Sequence, residues 1–147
     1  MKKQTLLQYV HHVHYVVQNR DEMVEYLDKT FGLKPTDLIE HRGQKEALYD
    51  IDKTQIQLTE PLDPASAMSQ KLAQDGPGVW HVAWGVNDIQ KVAKELAAKG
   101  NKLRGHDGVE QDGVHNSPLG YLTINIDRAS SHGMFLQLAE GVRKLKR

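Results

Sequence analysis

The sequence contains no cysteine among its 147 residues, which excludes disulfide bonds, thiolate zinc sites and cysteine nucleophiles. It carries no excess charge, since 19 Lys and Arg residues balance 19 Asp and Glu residues. Nothing electrostatic therefore favours a nucleic acid or an anionic membrane as a partner. It also lacks any apolar run near the roughly 18 residues of a membrane span, and its first residues lack the apolar core of a signal peptide. We therefore expect a cytoplasmic protein.

Histidine is comparatively abundant, with 8 residues, and two of them open matching segments. HVHYVV begins at His12 and HVAWGV begins at His81. A second matched pair, QLTE and QLAE, ends at Glu60 and Glu140 in the same order. Two matches in the same order indicate an internal duplication. The longer second half predicts an insertion at 105–120.

Each half predicts one strand, one helix and then three strands, because alternating apolar residues give way to helical spacing and back again. The repeat predicts a single domain over 1–147, with module one at about 9–62, a linker helix at about 63–77 and module two at about 78–140. The expected strands are 9–17, 36–42, 45–51 and 54–59, then 79–86, 102–104, 121–126 and 134–139; the expected helices are 20–31 and 88–99. Asn19 and Asp88 are the expected N-caps, and Gly32 and Gly100 the expected stops. One apolar face of the first helix is predicted to carry Met23, Tyr26, Leu27 and Phe31.

Strand alternation separates the residues of each half into a helix side and a cavity side. Val13, Tyr15 and Val17 are predicted to pack under the first helix, as Val82, Trp84 and Val86 are under the second. The other face carries His12 and His14 in one half and His81 in the other. Gln57 and Gln137 fall on the cavity side of the closing strands. If the half-sheets face one another, His12, Gln57, His81 and Gln137 could converge on a divalent ion.

These matched histidines, the QLTE and QLAE segments and the duplicated strand–helix–three-strand order resemble the vicinal oxygen chelate superfamily, which includes glyoxalase, bleomycin-resistance and dioxygenase members. The likeness is greatest to methylmalonyl-CoA epimerase-like members and runs from about residue 9 to 140. It implies an α+β fold of two tandem βαβββ modules forming a cupped mixed β-sheet around a central cavity. It also implies a homodimer and a small-molecule substrate with adjacent oxygens.

The resemblance places metal ligands at His12, Gln57, His81 and Gln137, and a proton-transfer base at Glu46. The metal would be zinc, cobalt, nickel, manganese or iron. Two features depart from the family, which has glutamate at the position of Gln137 and, in the epimerases, a His-Pro-Lys segment where this chain has IDRASSHG. An amide adds no negative charge to a metal site and cannot act as a base.

Two functions remain open on the sequence. The first is a metal-dependent isomerase or lyase that moves a proton next to a chelated carbonyl, as epimerases and glyoxalases do. The second is a non-enzymatic small-molecule binding protein of the bleomycin-resistance type, with Tyr15, Trp80 and Trp84 as aromatic walls. An exposed strand residue is the alternative for Glu46. We interpret His14, with Trp80, as lining a substrate pocket, although His14 could be a second acid–base group. His115 and His132 are predicted to lie in surface loops.

Overall fold

A computed structural model describes residues 5–105 and 114–145 of the chain. Part of the predicted insertion at 105–120 therefore lies outside the described residues. No helix in the described ranges is long and apolar enough to cross a membrane. The elements, in chain order, are β1 (Tyr9–Val16), α1 (Arg20–Phe31), β2 (Asp37–His41), β3 (Gln44–Ile51), β4 (Thr54–Pro61), α2 (Ala67–Asp75), β5 (Gly78–Gly85), α3 (Ile89–Ala98), β6 (Leu103–Arg104), β7 (His115–Asn116), β8 (Leu122–Ile126) and β9 (Leu136–Glu140).

The fold class is α+β with mixed strand pairing, as the sequence predicts, and the predicted elements form in the predicted order. The chain divides into two compact units. One consists of residues 12–81 and is called the His12–His81 unit below. The other, called the flanking unit, consists of residues 1–11 and 82–147.

In the His12–His81 unit the strands follow the order β2, β3, β4, β1, with the β1–β4 pair parallel and the other pairs antiparallel. Helix α1 packs on β3 and β4. It begins at Asn19, whose side chain accepts a hydrogen bond from the Glu22 backbone at 2.9 Å, and ends at Gly32, where φ is 67°. The core beneath it contains Val17, Ala47, Tyr49 and Leu58, with Tyr15, Met23, Val24, Leu27, Leu33 and Ile56 packed against them.

Two tight turns set the register of this sheet. Arg42 and Gly43, both with positive φ, join β2 to β3 so that His41 pairs with Gln44. A second two-residue turn starts at Asp52 and joins β3 to β4. Two-residue hairpin loops leave no freedom in strand pairing. The two turns therefore place Ile39, Glu46 and Thr59 side by side on one face of the sheet.

In the flanking unit the strands follow the order β5, β9, β8, β6, and β7 also pairs with β8. Helix α3 packs on β8 and β9. The Asp88 side chain accepts from the Lys91 backbone, and the Glu140 carboxylate accepts from the backbone N–H groups of Asp88 and Ile89 at 2.7 and 3.0 Å. The glutamate that closes QLAE thus anchors the start of α3, where negative charge is favoured.

Two details of the predicted fold are wrong. Tyr26 and Phe31 are 53% and 69% exposed and contact one another, so the buried face of α1 carries Met23, Val24 and Leu27 instead. His115 lies in the short strand β7, not in a loop, and its Nε2 lies 3.0 Å from the Thr123 hydroxyl.

Candidate active site

Two histidines singled out by the repeat meet in the His12–His81 unit. His12 lies in β1 and is buried, whereas His81 lies in β5 and is half-buried. Their Nε2 atoms are 3.2 Å apart, and the rings meet edge to face with centroids 5.3 Å apart. The structure therefore brings together two of the four predicted metal ligands.

The spacing of this pair fits a shared metal ion. Two imidazole nitrogens, each about 2.0–2.1 Å from a tetrahedral zinc ion, are about 3.3 Å apart. Within the described ranges no group of three or more His, Cys, Asp or Glu side chains is arranged to hold a metal. Within these ranges, a site built on His12 and His81 would have to be completed by neutral oxygens, from amides, water or substrate.

Glu46 is a buried carboxylate on β3, so the exposed-strand alternative is wrong. Its Oε1 accepts hydrogen bonds from Gln57 Nε2 at 2.6 Å and from Thr59 Oγ1 at 2.8 Å, and its Oε2 contacts Nε2 of His41. Such donors offset the cost of burying a carboxylate charge. They also fix the plane of the carboxyl group.

The contact with Glu46 fixes the orientation of Gln57. A carboxylate oxygen accepts hydrogen bonds, so the group that Gln57 turns toward Glu46 is its NH₂. The amide oxygen of Gln57 is then directed away from Glu46. That oxygen is the atom a metal would use, and the role of Gln57 as a ligand stays a prediction.

His14 is linked to the same carboxylate through Thr59. The Thr59 hydroxyl has one proton and donates it to Glu46, so it must accept at 2.7 Å from an N–H at Nε2 of His14. Burial, and then the neighbouring His81, hold the pKa of His14 well below its ordinary value. His14 is therefore neutral with its proton on Nε2. Its ring centroid lies 5.1 Å from that of His81.

Thr59 and His41 are site residues that the sequence reasoning missed. Thr59 is the cross-strand partner of Glu46, and His41 is its diagonal neighbour on β2. Both positions follow from the two-residue turns at Arg42–Gly43 and at Asp52, since the side chains of paired residues share a face. The turn residues of the two hairpins could therefore have indicated that Thr59 and His41 lie next to Glu46.

Arg20, also missed, supports the strand that carries Glu46. Its guanidinium is buried and donates to the backbone carbonyls of Ile39 and Glu46 at 3.2 and 3.3 Å, while Asp21 accepts from the same group. A buried arginine at the first position of α1 thus fastens the helix to β2 and β3. The sequence does not indicate that Arg20 is buried, because an arginine in a first helical turn is usually solvated.

The third histidine of the opening strand has a structural role in the flanking unit. His11 Nε2 donates to the Gly141 carbonyl at 2.6 Å, and its ring packs against Tyr121 with centroids 4.7 Å apart. Burial lowers the pKa of His11, and the hydrogen bond to Gly141 opposes that shift in part. His11 ties the end of β9 to the start of β1.

Gln137 lies in the flanking unit, where its amide has a defined orientation. Asn125 Nδ2 donates to the Gly105 carbonyl at 3.1 Å, which leaves Asn125 Oδ1 to accept from Gln137 Nε2 at 3.0 Å. A glutamate at 137 would present an acceptor to this acceptor. Asn125 is thus matched to an amide at 137. The role of Gln137 as a metal ligand stays a prediction.

The aromatic residues considered as ligand-binding walls divide into two groups. Tyr15 and Trp84 pack into the hydrophobic clusters beneath the helices, so a wall role for these two is wrong. Trp80 is half-buried and adjacent to His81 in β5, which places it on the opposite face of that strand. Its place in a substrate pocket stays a prediction.

Comparison with known proteins agrees with this architecture. Residues 11–116 match the sequence profile of the Glyoxalase/Bleomycin resistance protein/Dioxygenase superfamily. The chain therefore belongs to this family, whose members share the vicinal oxygen chelate fold. No match is found among curated proteins.

Among solved structures the similar chains include methylmalonyl-CoA epimerases. The enzyme from Mycobacterium tuberculosis is 23% identical with a TM-score of 0.78, over 97% of this chain and 93% of that one. A Streptomyces coelicolor epimerase in complex with 2-nitronate-propionyl-CoA is 23% identical with a TM-score of 0.74, over 95% and 99%. A further methylmalonyl-CoA epimerase is 26% identical with a TM-score of 0.78, over 94% and 98%. These likenesses establish the fold.

Proposed function

We propose that the protein is a metal-dependent isomerase or lyase that moves a proton on the carbon next to a carbonyl group. The observation that supports this most is the buried Glu46 carboxylate, which is hydrogen-bonded on both oxygens in the same compact unit as the facing His12 and His81 rings. Enolate chemistry uses a base together with groups that stabilise charge on the carbonyl oxygen, and this unit contains candidates for both.

His12, His81 and the Gln57 amide oxygen would hold the ion. A divalent cation there would polarise the substrate carbonyl and stabilise the negative charge that develops on its oxygen. The ligands in this unit are all neutral. They leave the charge of a cation less compensated than a carboxylate ligand would, which lowers metal affinity.

Glu46 would remove the proton. Because Gln57, Thr59 and His41 hold its carboxyl group, the base needs no rearrangement before the proton moves. Thr59 is itself held by His14, so a chain of polar contacts connects the base to the ring beside His81. His14 serves as a wall of this assembly because its Nε2 proton is committed to Thr59.

Two substrate classes fit this chemistry. Solved epimerases of this fold bind methylmalonyl-CoA, an acyl thioester with an acidic carbon, or 2-nitronate-propionyl-CoA, whose nitronate group resembles the enolate. A hemithioacetal of an α-keto aldehyde also offers two adjacent oxygens. The segment IDRASSHG stands where the epimerases are expected to have His-Pro-Lys, so recognition of the coenzyme A portion is not implied.

The first experiment has two readouts. Elemental analysis of protein purified without a histidine tag or chelator should find about one equivalent of divalent metal, absent from the His12→Ala/His81→Ala double variant. Proton NMR in D₂O should then show exchange of the α-proton of methylmalonyl-CoA or of methylglyoxal hemithioacetal. Glu46→Gln should slow this exchange by about 10²–10⁴-fold.

Glu40→Gln is the matched control, since Glu40 is an exposed carboxylate on the neighbouring strand β2. It should leave metal content and exchange unchanged. Wild-type protein that binds metal but exchanges neither substrate would refute the proposed reaction. Equal loss in Glu46→Gln and Glu40→Gln would refute the role of Glu46.

A second candidate, non-enzymatic binding of a small molecule, is favoured by one observation. The predicted ligand set contains no carboxylate, and the described residues offer no cluster of three ionisable ligands. Protein that takes up no zinc, cobalt, nickel or manganese on reconstitution, yet binds a flat aromatic compound in calorimetry without altering it, would support this function.

A further inference from the structure

The buried base has a side-chain partner that reaches toward solvent. His41 Nε2 contacts Glu46 Oε2, and the His41 side chain is 27% exposed whereas that of Glu46 is 2% exposed. The partners of the other oxygen, Gln57 and Thr59, are both buried. Among the described side chains that contact the Glu46 carboxylate, His41 is the most exposed.

This contact is built into the sheet. The Arg42–Gly43 turn pairs His41 with Gln44, which sets the His41 side chain on the face of Glu46 at the end of β2. Arg20 holds the same segment by donating hydrogen bonds to the backbone carbonyls of Ile39 and Glu46. The imidazole is thus held against the carboxylate by backbone geometry and does not depend on a flexible loop.

We propose that His41 is a positioning residue that passes protons between Glu46 and bulk water. The proposal rests on the proposed function, in which Glu46 receives a proton from the substrate carbon. The C–H electron pair stays with the substrate as an enolate, and Glu46 becomes a carboxylic acid. A His41 ring protonated on Nδ1 can accept that proton at Nε2, and it then releases its Nδ1 proton to water.

The result is a Glu46 carboxylate that accepts a hydrogen bond from Nε2–H of a neutral His41. A hydrogen bond joins the two groups before and after the transfer. The proton is on Oε2 of Glu46 before it and on Nε2 of His41 after it. The state after the transfer is also the resting state, in which Glu46 is ready for the next substrate proton. Once Glu46 is protonated, the exposed ring exchanges its protons with water and reaches the Nδ1 form that accepts from it. No other reactant is needed, and each step moves one proton between named atoms.

The kinetic test compares His41→Ala with Glu40→Ala, whose side chain lies on the opposite face of the same strand. Methylmalonyl-CoA and methylglyoxal hemithioacetal are followed in D₂O by proton NMR. Deuterium incorporation should fall at least about tenfold in His41→Ala and be restored by added imidazole in a concentration-dependent way. Glu40→Ala should match the wild type.

Unchanged deuterium incorporation in His41→Ala would overturn the proposal. So would a loss that imidazole does not restore, because that points to a purely structural role. Failure of the proposed function is a different result, since the wild type itself would then exchange neither substrate, and the relay would fall with it. The wild type exchanges substrate in the first two cases and does not in the third, so the two kinds of failure are distinguishable.

A spectroscopic measurement tests the contact without turnover. In protein labelled with ¹⁵N-histidine, the Nε2 resonance of His41 should shift in Glu46→Gln, because an amide replaces the carboxylate against the ring. The resonances of His132, an exposed histidine in the flanking unit, should stay in place. An unshifted His41 resonance would show that the contact is absent in solution and would overturn the proposal.

Discussion

The Thr59 hydroxyl joins the two parts of the candidate site, so replacing it with a hydrocarbon of the same shape measures how much the polar chain contributes. Thr59 is fully buried, donates to Glu46 at 2.8 Å and accepts from His14 at 2.7 Å. Thr59→Val keeps the branched shape and removes both hydrogen bonds. Glu46 then loses one donor, and the Nε2–H of His14 faces a methyl group.

The magnitude follows from these two losses. A hydrogen bond to a charged group is worth about 1.5–3 kcal/mol, and a buried donor left without an acceptor costs about 1–3 kcal/mol. The two losses share one atom and are not fully additive. We therefore expect Thr59→Val to lower the free energy of unfolding by about 3 kcal/mol. With an m-value of about 2 kcal/mol/M, the urea midpoint should fall by about 1.5 M.

Thr123→Val is the matched control. Thr123 is also buried in a strand, but its hydroxyl contacts one described side chain, His115, at 3.0 Å. It should cost about 1 kcal/mol, the usual net value of a neutral hydrogen bond. Both variants are unfolded in urea with a chelator present and followed by tryptophan fluorescence. Equal costs for the two substitutions would refute the claim that Thr59 links His14 to a charged Glu46.

Two further predictions concern single side chains. The pKa of His14 is lowered in the native protein, so below about pH 6.5 the unfolded chain takes up a proton at this residue while the native protein does not. The contribution of His14 to the free energy of unfolding is therefore complete above that pH. It is lost as the pH falls, by about 1.4 kcal/mol per pH unit. Urea unfolding is measured at several pH values with chelator present. The dependence of the free energy of unfolding on pH should be weaker in His14→Gln and unchanged in His132→Asn. The same dependence in both variants would contradict this prediction. Gln137→Glu should lower the free energy of unfolding by about 1–3 kcal/mol, because Asn125 turns an acceptor toward position 137 and the Gly105 carbonyl prevents it from flipping. Thermal and urea unfolding of the metal-free variant check this, and unchanged stability would show that Asn125 can reorient.

Much of the fold could be predicted because its patterns are local. Strand alternation placed Tyr15 and Trp84 on the helix side, where they pack. The buried face of α1 was predicted less accurately, because three or four apolar residues do not fix the direction of an apolar stripe on a helix. Tyr26 is about 110° around the helix from the centre of the buried stripe, and Phe31 is the last helical residue. Both positions are exposed because the sheet covers α1 over Met23, Val24 and Leu27 only.

The candidate site was predictable in part, for a different reason. The repeat identified His12 and His81 because duplication carries equivalent residues to equivalent strand positions. Glu46 was identified only through the family resemblance, yet its neighbours were accessible from the hairpin turns. What no local pattern gives is the direction of each hydrogen bond. The tautomer of His14 depends on Thr59, which in turn depends on the charge of Glu46, and that order appears only when the three side chains are in contact.

The hydrogen-bond directions restrict which groups in the His12–His81 unit can carry a proton. Gln57 is an amide, and His14 is neutral with its Nε2 proton donated to Thr59. In the proposed reaction these contacts leave Glu46 as the base of this unit, and His41 as the residue that exchanges protons with it. A single base reaches one face of a planar enolate, so these contacts favour returning the proton to that face, at the same carbon or at its oxygen-bearing neighbour. In that reaction, inversion at carbon would need a second proton carrier on the opposite face of the enolate, and an amide such as Gln57 cannot be that carrier. Under the proposed function, a single base of this kind would suit a hemithioacetal-type isomerisation better than an epimerisation.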